Sequence, residues 1–196
     1  SVVSVYAAYG DVYTESSVRG SRTQRLAALR NELFRHIHGE YSYVIVNDFD
    51  GNQPFLPSSF TRAFELIGQW NGIAFNVSPY WDLWALREET MMPYDHWGAK
   101  RNLNLIRTSQ DADRWLDATP KGTVIPVISA FMMLVVYNAS VLRQTYDEAS
   151  RDCEHVAMHR GFGKIGILRR PLYAPAKLAK LAKLPPLAYP LLLFFR

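Results

Sequence analysis

The sequence predicts an α/β fold, a β-sheet flanked by helices, and three observations carry that expectation. A helical stretch over residues 22–38 runs into a β-branched, aromatic-rich run at 41–47. A second helix-then-strand pair follows at 57–69 and 73–77, and apolar, β-prone residues return over 124–136. Helical and strand periodicities that alternate along one chain are what a sheet with connecting helices on its faces requires. The length, 196 residues, fits one domain that can bury a core without staples. With 48% hydrophobic and 20% charged residues the composition is that of a folded globular chain, which excludes a disordered one.

Residues 2–6 read as a short strand, so the chain is expected to start part-way into a domain, and 10–21 read as a loop. Over 22–38, Leu26, Leu29, Leu33, Phe34 and Ile37 recur at three- and four-residue spacing. That makes one buried stripe on an amphipathic helix, with Ser21 as its N-cap and Gly39 as its stop. The run 41–47 is nearly continuous in apolar residues, which suggests a parallel strand buried on both faces. Residues 57–69 read as a helix capped by Ser58 or Ser59, with Phe60, Phe64 and Ile67 inward, and 73–77 as a second strand.

An aromatic segment over 79–87 follows, and 90–121 read as loop with one short helix around 111–116. Pro126 stands near the start of the 124–136 run, which therefore supplies one or two strands. Short helices are expected over 141–148 and 152–159. Residues 1–170 form the expected core. The remainder, 171–196, is a basic, proline- and leucine-rich tail.

The chain carries 22 Lys and Arg against 18 Asp and Glu, a formal charge of +4. All the acids lie before residue 160, so the first 159 residues sum to −4 and the last 37 to +8. The basic excess belongs to the tail, and a uniformly basic nucleic-acid surface is not indicated. Within the tail, Lys177, Lys180 and Lys183 alternate with Leu and Ala ahead of the apolar 187–195, interrupted by Pro190. Such a segment is too short to span a bilayer and suits either peripheral contact with an anionic membrane or docking on the core. Cys153 is the single cysteine, so no internal disulfide forms, and cytoplasmic chemistry fits best.

Two clusters carry candidate chemistry. Asp48 and Asp50 stand at the end of the 41–47 strand, and side chains two apart share one side of an extended backbone. Two such carboxylates repel, and a hard divalent cation relieves that while leaving positions open to phosphate oxygens. The alternative is a solvated turn, since Asp48, Gly51 and Asn52 are turn residues. Downstream, Asp152, Cys153, Glu154, His155 and His159 lie within eight residues. His155 and His159 share a helix face at i and i+4, a spacing suited to a metal, and Glu154 is a candidate general base. The alternative there is a capped surface helix.

Taken in order, the segments resemble the GT-A glycosyltransferases related to chlorovirus capsid glycosyltransferases and fungal capsule-associated mannosyltransferases. The resemblance rests on Arg22, Arg25, Leu26, Ala27, Arg30 and Asn31; on Val44 through Gly51; on Tyr80 through Arg87; and on Asp152 through His159. Ser129, Ala130 and Phe131 look like the acceptor-side strand of that family. Together these cover residues 22 to 160. It implies a GT-A (Rossmann-like) mixed, mostly parallel sheet flanked by helices, here without the first nucleotide-binding strand. It also implies transfer of a sugar from a nucleoside diphosphate to a glycan, protein or lipid hydroxyl, with Mn²⁺ or Mg²⁺ as cofactor. Asp48 and Asp50 would be metal ligands assisted by His155 and His159, and Arg22, Arg30 and Asn31 would lie near the nucleotide. Trp81, Asp82, Trp84, Arg87 and Ser129 would line the substrate pocket, and Glu154 or Asp152 would act on the acceptor. The sequence departs from the family at Met132 and Met133, where members carry glycines. The rival enzyme is a haloacid-dehalogenase-like phosphotransferase using Asp48 and Asp50, although Asn52 stands where that family has Thr. The non-enzyme rival is a carbohydrate-binding module that stacks sugars on Trp70, Trp81, Trp84 and Trp97.

Overall fold

The computed structural model describes residues 19–35, 37, 41–48, 56–77, 82–88, 105–142, 145–171 and 194–195. The first helix, α1 (Arg22–Arg35), opens in a capping box. Ser21 N donates to Gln24 Oε1 at 2.8 Å, and Gln24 N donates to Ser21 Oγ at 3.4 Å. Two helix-start amides are thereby satisfied, as Ser21 led one to expect. The face that α1 buries is not the leucine stripe: Thr23, Ala27, Arg30 and Asn31 are buried, Leu26 and Leu29 half-buried, and Leu33 is 36% exposed. The helix is turned by roughly a quarter turn from the expected orientation. The polar partners of Arg30 and Asn31 set its angle.

After β1 (Tyr43–Asn47), α2 (Pro57–Leu66) starts with Leu56 at the N-cap and Pro57 in the first turn. Neither Ser58 nor Ser59 is the cap; proline, whose missing N–H would be unpaired there anyway, takes the first helical position. A 3₁₀ turn, Ile67–Gln69, extends α2 towards β2 (Gly72–Asn76). Next come α3 (Leu105–Asp117), β3 (Val124–Val127) and β4 (Leu134–Asn138), so the 124–136 run resolves into two strands. The described residues of 141–148 form no α-helix: a 3₁₀ turn, Ala139–Val141, precedes a loop and turn over 145–150. The chain then forms α4 (Glu154–Phe162), β5 (Ile165–Pro171) and the two-residue β6 (Phe194–Phe195).

The strands form one mixed sheet in the order β3-β5-β2-β4-β1-β6. Among the described strands only β2 and β5 pair in parallel, and the other four pairings are antiparallel. The expected mostly parallel sheet is thus corrected. Helices cover both faces, and burial on both faces makes β1 apolar throughout whichever way its neighbours run. On one face α2 packs through Ala63 and Ile67 against Ile45, Ile73, Phe75 and Val136. On the other, Ala27 of α1, Ala112 and Leu116 of α3, and Val156 and Phe162 of α4 close over Val44, Val46, Ala74, Val135 and Tyr137. Because β4 is antiparallel to both β1 and β2, the carboxyl ends of β1 and β2 lie at one edge of the sheet.

Candidate functional site

At that edge β1 delivers Asp48, whose backbone N–H donates to the Met133 carbonyl at 2.7 Å. Met133 has φ 67, a left-handed conformation that favours glycine, and it stands where the resembled family carries small residues. Above the edge, Arg30 of α1 spreads its guanidinium between two carboxylates. Nη2 donates to Asp48 Oδ1 at 2.8 Å, and Nη1 donates to Glu154 Oε1 at the start of α4. The same guanidinium lies 5.3 Å from the ring centre of Phe131 and 5.6 Å from that of Tyr146. Burial works against its charge, but Tyr146, Asp48 and Glu154 more than offset it and raise its pKa above the ordinary value. Arg30 is therefore a buried, permanently charged bracket with both Nη atoms engaged, and it orients Asp48.

Asp82, half-buried, shares this neighbourhood. Its carboxyl is pushed up to about 7, chiefly by burial and further by the charges of Asp48 and Glu154, against a backbone hydrogen bond at Ala85 and the Arg30 charge. A second ion pair lies behind: Arg87 Nη2 donates to Asp152 Oδ1 at 2.7 Å, and Nη1 donates to the carbonyls of Trp84 and Leu86 at 2.8 Å each. Arg87 is 2% exposed, and its backbone bridges to Ser129. It ties the 82–88 turn to Asp152, two residues before α4. Asn31 is likewise spent internally: Nδ2 donates to the Tyr146 carbonyl and to Glu148 Oε1, and Tyr146 N donates to Oδ1 at 2.7 Å. It clamps the 145–148 loop.

The histidines also differ from expectation. His159 is fully buried, with Nδ1 2.9 Å from Ser129 Oγ and Nε2 2.7 Å from Tyr137 Oη. Both ring nitrogens are taken, so His159 is not a metal ligand, and Ser129, itself buried, serves His159 and not a substrate. His155 stacks on Phe131 with ring centres 3.7 Å apart and has Nδ1 3.4 Å from Tyr146 Oη. Burial, Arg30 and His159 hold its pKa well below the usual value, and burial lowers that of His159 to about 3, so both rings are neutral. Among the described residues no three His, Cys, Asp or Glu side chains assemble a metal site.

Asp50 and Trp81 lie outside the described residues, as do the strand expected at 2–6, Gly39 and most of the tail. Arg22 stays at the rim, its guanidinium 5.9 Å from the ring centre of half-buried Trp84. Tyr137 and Tyr146 were missed by sequence reasoning: tyrosine in an apolar run looks like core, and only the fold shows their hydroxyls meeting the histidines. Asn47 and Asn76 were missed too. Their buried Oδ1 atoms, at the ends of β1 and β2, have no hydrogen-bond partner among the described residues. A groove of about 580 Å³, lined by Phe34, Tyr41, Tyr43, Asn138 and others, opens at the opposite end of β1.

No protein-family model matches the chain, and neither the curated proteins nor the solved structures give a match. No described helix is long and apolar enough to cross a membrane.

Proposed function

We propose that this chain is the core of a metal-dependent glycosyltransferase that moves a sugar from a nucleoside diphosphate to an acceptor hydroxyl. One observation carries the reading. Segments far apart in sequence bring Asp48 and Glu154 onto Arg30 at the carboxyl edge of a buried strand, with Asp82 in the same neighbourhood. Among these groups the carboxylates outnumber the guanidinium; burial is the main cause of the raised Asp82 pKa, and the Asp48 and Glu154 charges add to it. The motif order supports the same reading, as does the left-handed backbone at Met133.

Among the described candidates Asp48 is the carboxylate open to a divalent cation, while both ring nitrogens of His159 are taken. The Asp48 side chain is 46% exposed, and Arg30 holds only its Oδ1. Asp48, with Asp50 next in the motif, would hold Mn²⁺ or Mg²⁺, which when bound neutralises charge growing on the leaving nucleoside diphosphate. Arg30 fixes the angle of Asp48. Asp152 is engaged by Arg87 and Glu154 by Arg30, so the acceptor's proton falls to Asp82, whose pKa near 7 suits a general base. Trp84 with Arg22 supplies an aromatic and cationic rim for the sugar or its phosphates.

Calorimetric titration of a panel of nucleoside diphosphates with and without Mn²⁺ tests this. Binding that requires Mn²⁺ and disappears in Asp48→Ala is the expected result. Metal-independent glycan binding without nucleoside diphosphate binding, or phosphate release from small esters, would overturn it in favour of a binding module or a phosphotransferase.

A further inference from the structure

At the end of the sheet away from Asp48, a groove of about 580 Å³ crosses the amino end of β1. It runs from Phe34 of α1, on one face of the sheet, to Gly68 in the 3₁₀ turn after α2, on the other. Its volume suits a small ligand, and the proposed transfer chemistry does not use it.

Two properties of the lining narrow what fits. The first is charge: among the described residues no acidic or basic side chain lines the groove. A phosphate or carboxylate would lose water there without gaining a counter-ion, so an uncharged ligand is favoured. The second is the mixture of rings and short polar groups. Phe34, Tyr41 and Tyr43 supply the rings, while Ser42, Asn138 and Ser140 supply hydroxyls and an amide. Two of the rings are braced from behind: Phe34 lies 5.5 Å from Tyr146 and Tyr43 lies 5.2 Å from Phe64, centre to centre. Asn138 accepts from Ser140 N at 3.1 Å and from Ser140 Oγ at 2.8 Å, both through Oδ1, which leaves Nδ2 as its donor.

The main chain around the groove is already spent. Tyr43 and Val44 pair β4 on one side and β6 on the other. Asn138 N donates to the Asn71 carbonyl at 3.1 Å, and Ala139 N donates to the Ser42 carbonyl at 3.0 Å. An extended peptide therefore cannot add here as a strand, the mode in which backbone bonds supply affinity. Recognition falls to the side chains, and a sugar ring matches them. Its C–H faces pack on the negative face of an aromatic ring, and its hydroxyls both donate and accept at the rim.

We propose that this groove binds a neutral oligosaccharide, at a site separate from the Asp48 edge. From Tyr43 to Asp48 the chain spans roughly 17 Å at about 3.4 Å per residue, a distance that several sugar units cover. The acceptor of the proposed transferase is then an extended neutral glycan and not a free monosaccharide. That acceptor role rests on the transferase reading; binding in the groove does not.

NMR titration of the full chain with neutral tetrasaccharides of glucose, galactose, mannose and N-acetylglucosamine tests the site. At least one is expected to shift the Asn138 side-chain amide and the Gly68 backbone amide, and tetragalacturonic acid, a charged counterpart, is expected to shift neither. A Cβ at Gly68 meets nothing within 4 Å, so Gly68→Phe enters the groove from open space. It is expected to weaken binding by about tenfold or more, since it fills the volume that the sugar needs. Should that variant fail to fold, Tyr41→Ala, which removes one ring, is expected to weaken binding in the same direction. No shift with any of the four sugars, binding unchanged in the folded variant, or shifts caused instead by a proline-rich decapeptide would overturn the proposal. Shifts in a chain that binds no nucleoside diphosphate would keep the glycan site and remove its acceptor role. Mn²⁺-dependent nucleotide binding with no shift would overturn the glycan site alone.

Discussion

At Arg30 one planar guanidinium serves two carboxylates on different elements, which a single ammonium could do only by sharing one compact charge between them. Removing it leaves a buried Glu154 with no cation among its described contacts. Arg30→Leu is expected to cost about 3–5 kcal/mol of stability in urea unfolding, the range for breaking a buried pair from one side. A loss below about 1 kcal/mol would show that the bracket holds little. Asp82 has the opposite sense. Its folded pKa is raised to about 7, so the folded state binds the extra proton, and stability falls as pH climbs from about 4, the unfolded value, to 7. Asp82→Asn removes that dependence. Allowing for partial exposure, the variant is expected to gain on the order of 1–2 kcal/mol over the parent at pH 8 and little at pH 4. Identical pH slopes in both proteins would refute the raised pKa.

Among the elements, α1 shows how far pattern reading goes. Its existence and its cap were legible from Ser21 and the apolar spacing, but its orientation was not. Arg30 and Asn31 look like surface residues until Asp48, Glu154 and the 145–148 loop are brought to them, and their hydrogen bonds outweigh the partial exposure of three leucines. The strands at 43–47 and 72–76 were legible as apolar runs. Strand direction was not, because sheet burial leaves the same composition on parallel and antiparallel strands. The convergence of Asp48 and Glu154 on Arg30 and of Asp152 on Arg87 was not visible in the spacing, and at His155, His159 and Arg87 burial and neighbours decide what each side chain touches. In β5, Gly166 shows a constraint invisible to periodicity. A Cβ there would lie 2.2 Å from Val124 Cγ1 and 2.9 Å from the Trp70 ring. Gly166→Ala is expected to destabilise by roughly 1–3 kcal/mol, the cost of overpacking a filled site. A midpoint in thermal unfolding within a degree of the parent would mean that β3 yields freely.

At the scale of the molecule, no two described strands consecutive in sequence are neighbours in the sheet, so the described strands form no hairpin. Every strand pairing closes a long loop, and β4, which lies between β1 and β2, cannot be enclosed until chain well separated from it has arrived. Loop-closure entropy must be met before those contacts return it, which places refolding in the millisecond-to-second range or slower. The same topology orders local stability. Amides of Val135 and Val136, on a strand paired on both sides and buried on both faces, are expected to exchange with solvent only through global unfolding. Those of β6, held by two residues at the margin of β1, are expected to exchange first. Hydrogen exchange read by mass spectrometry or NMR checks this. Protection of β6 equal to that of β4 would mean that the sheet opens as one unit with no weak edge, and that the two residues pairing β6 to the amino end of β1 hold it as firmly as the central strand is held.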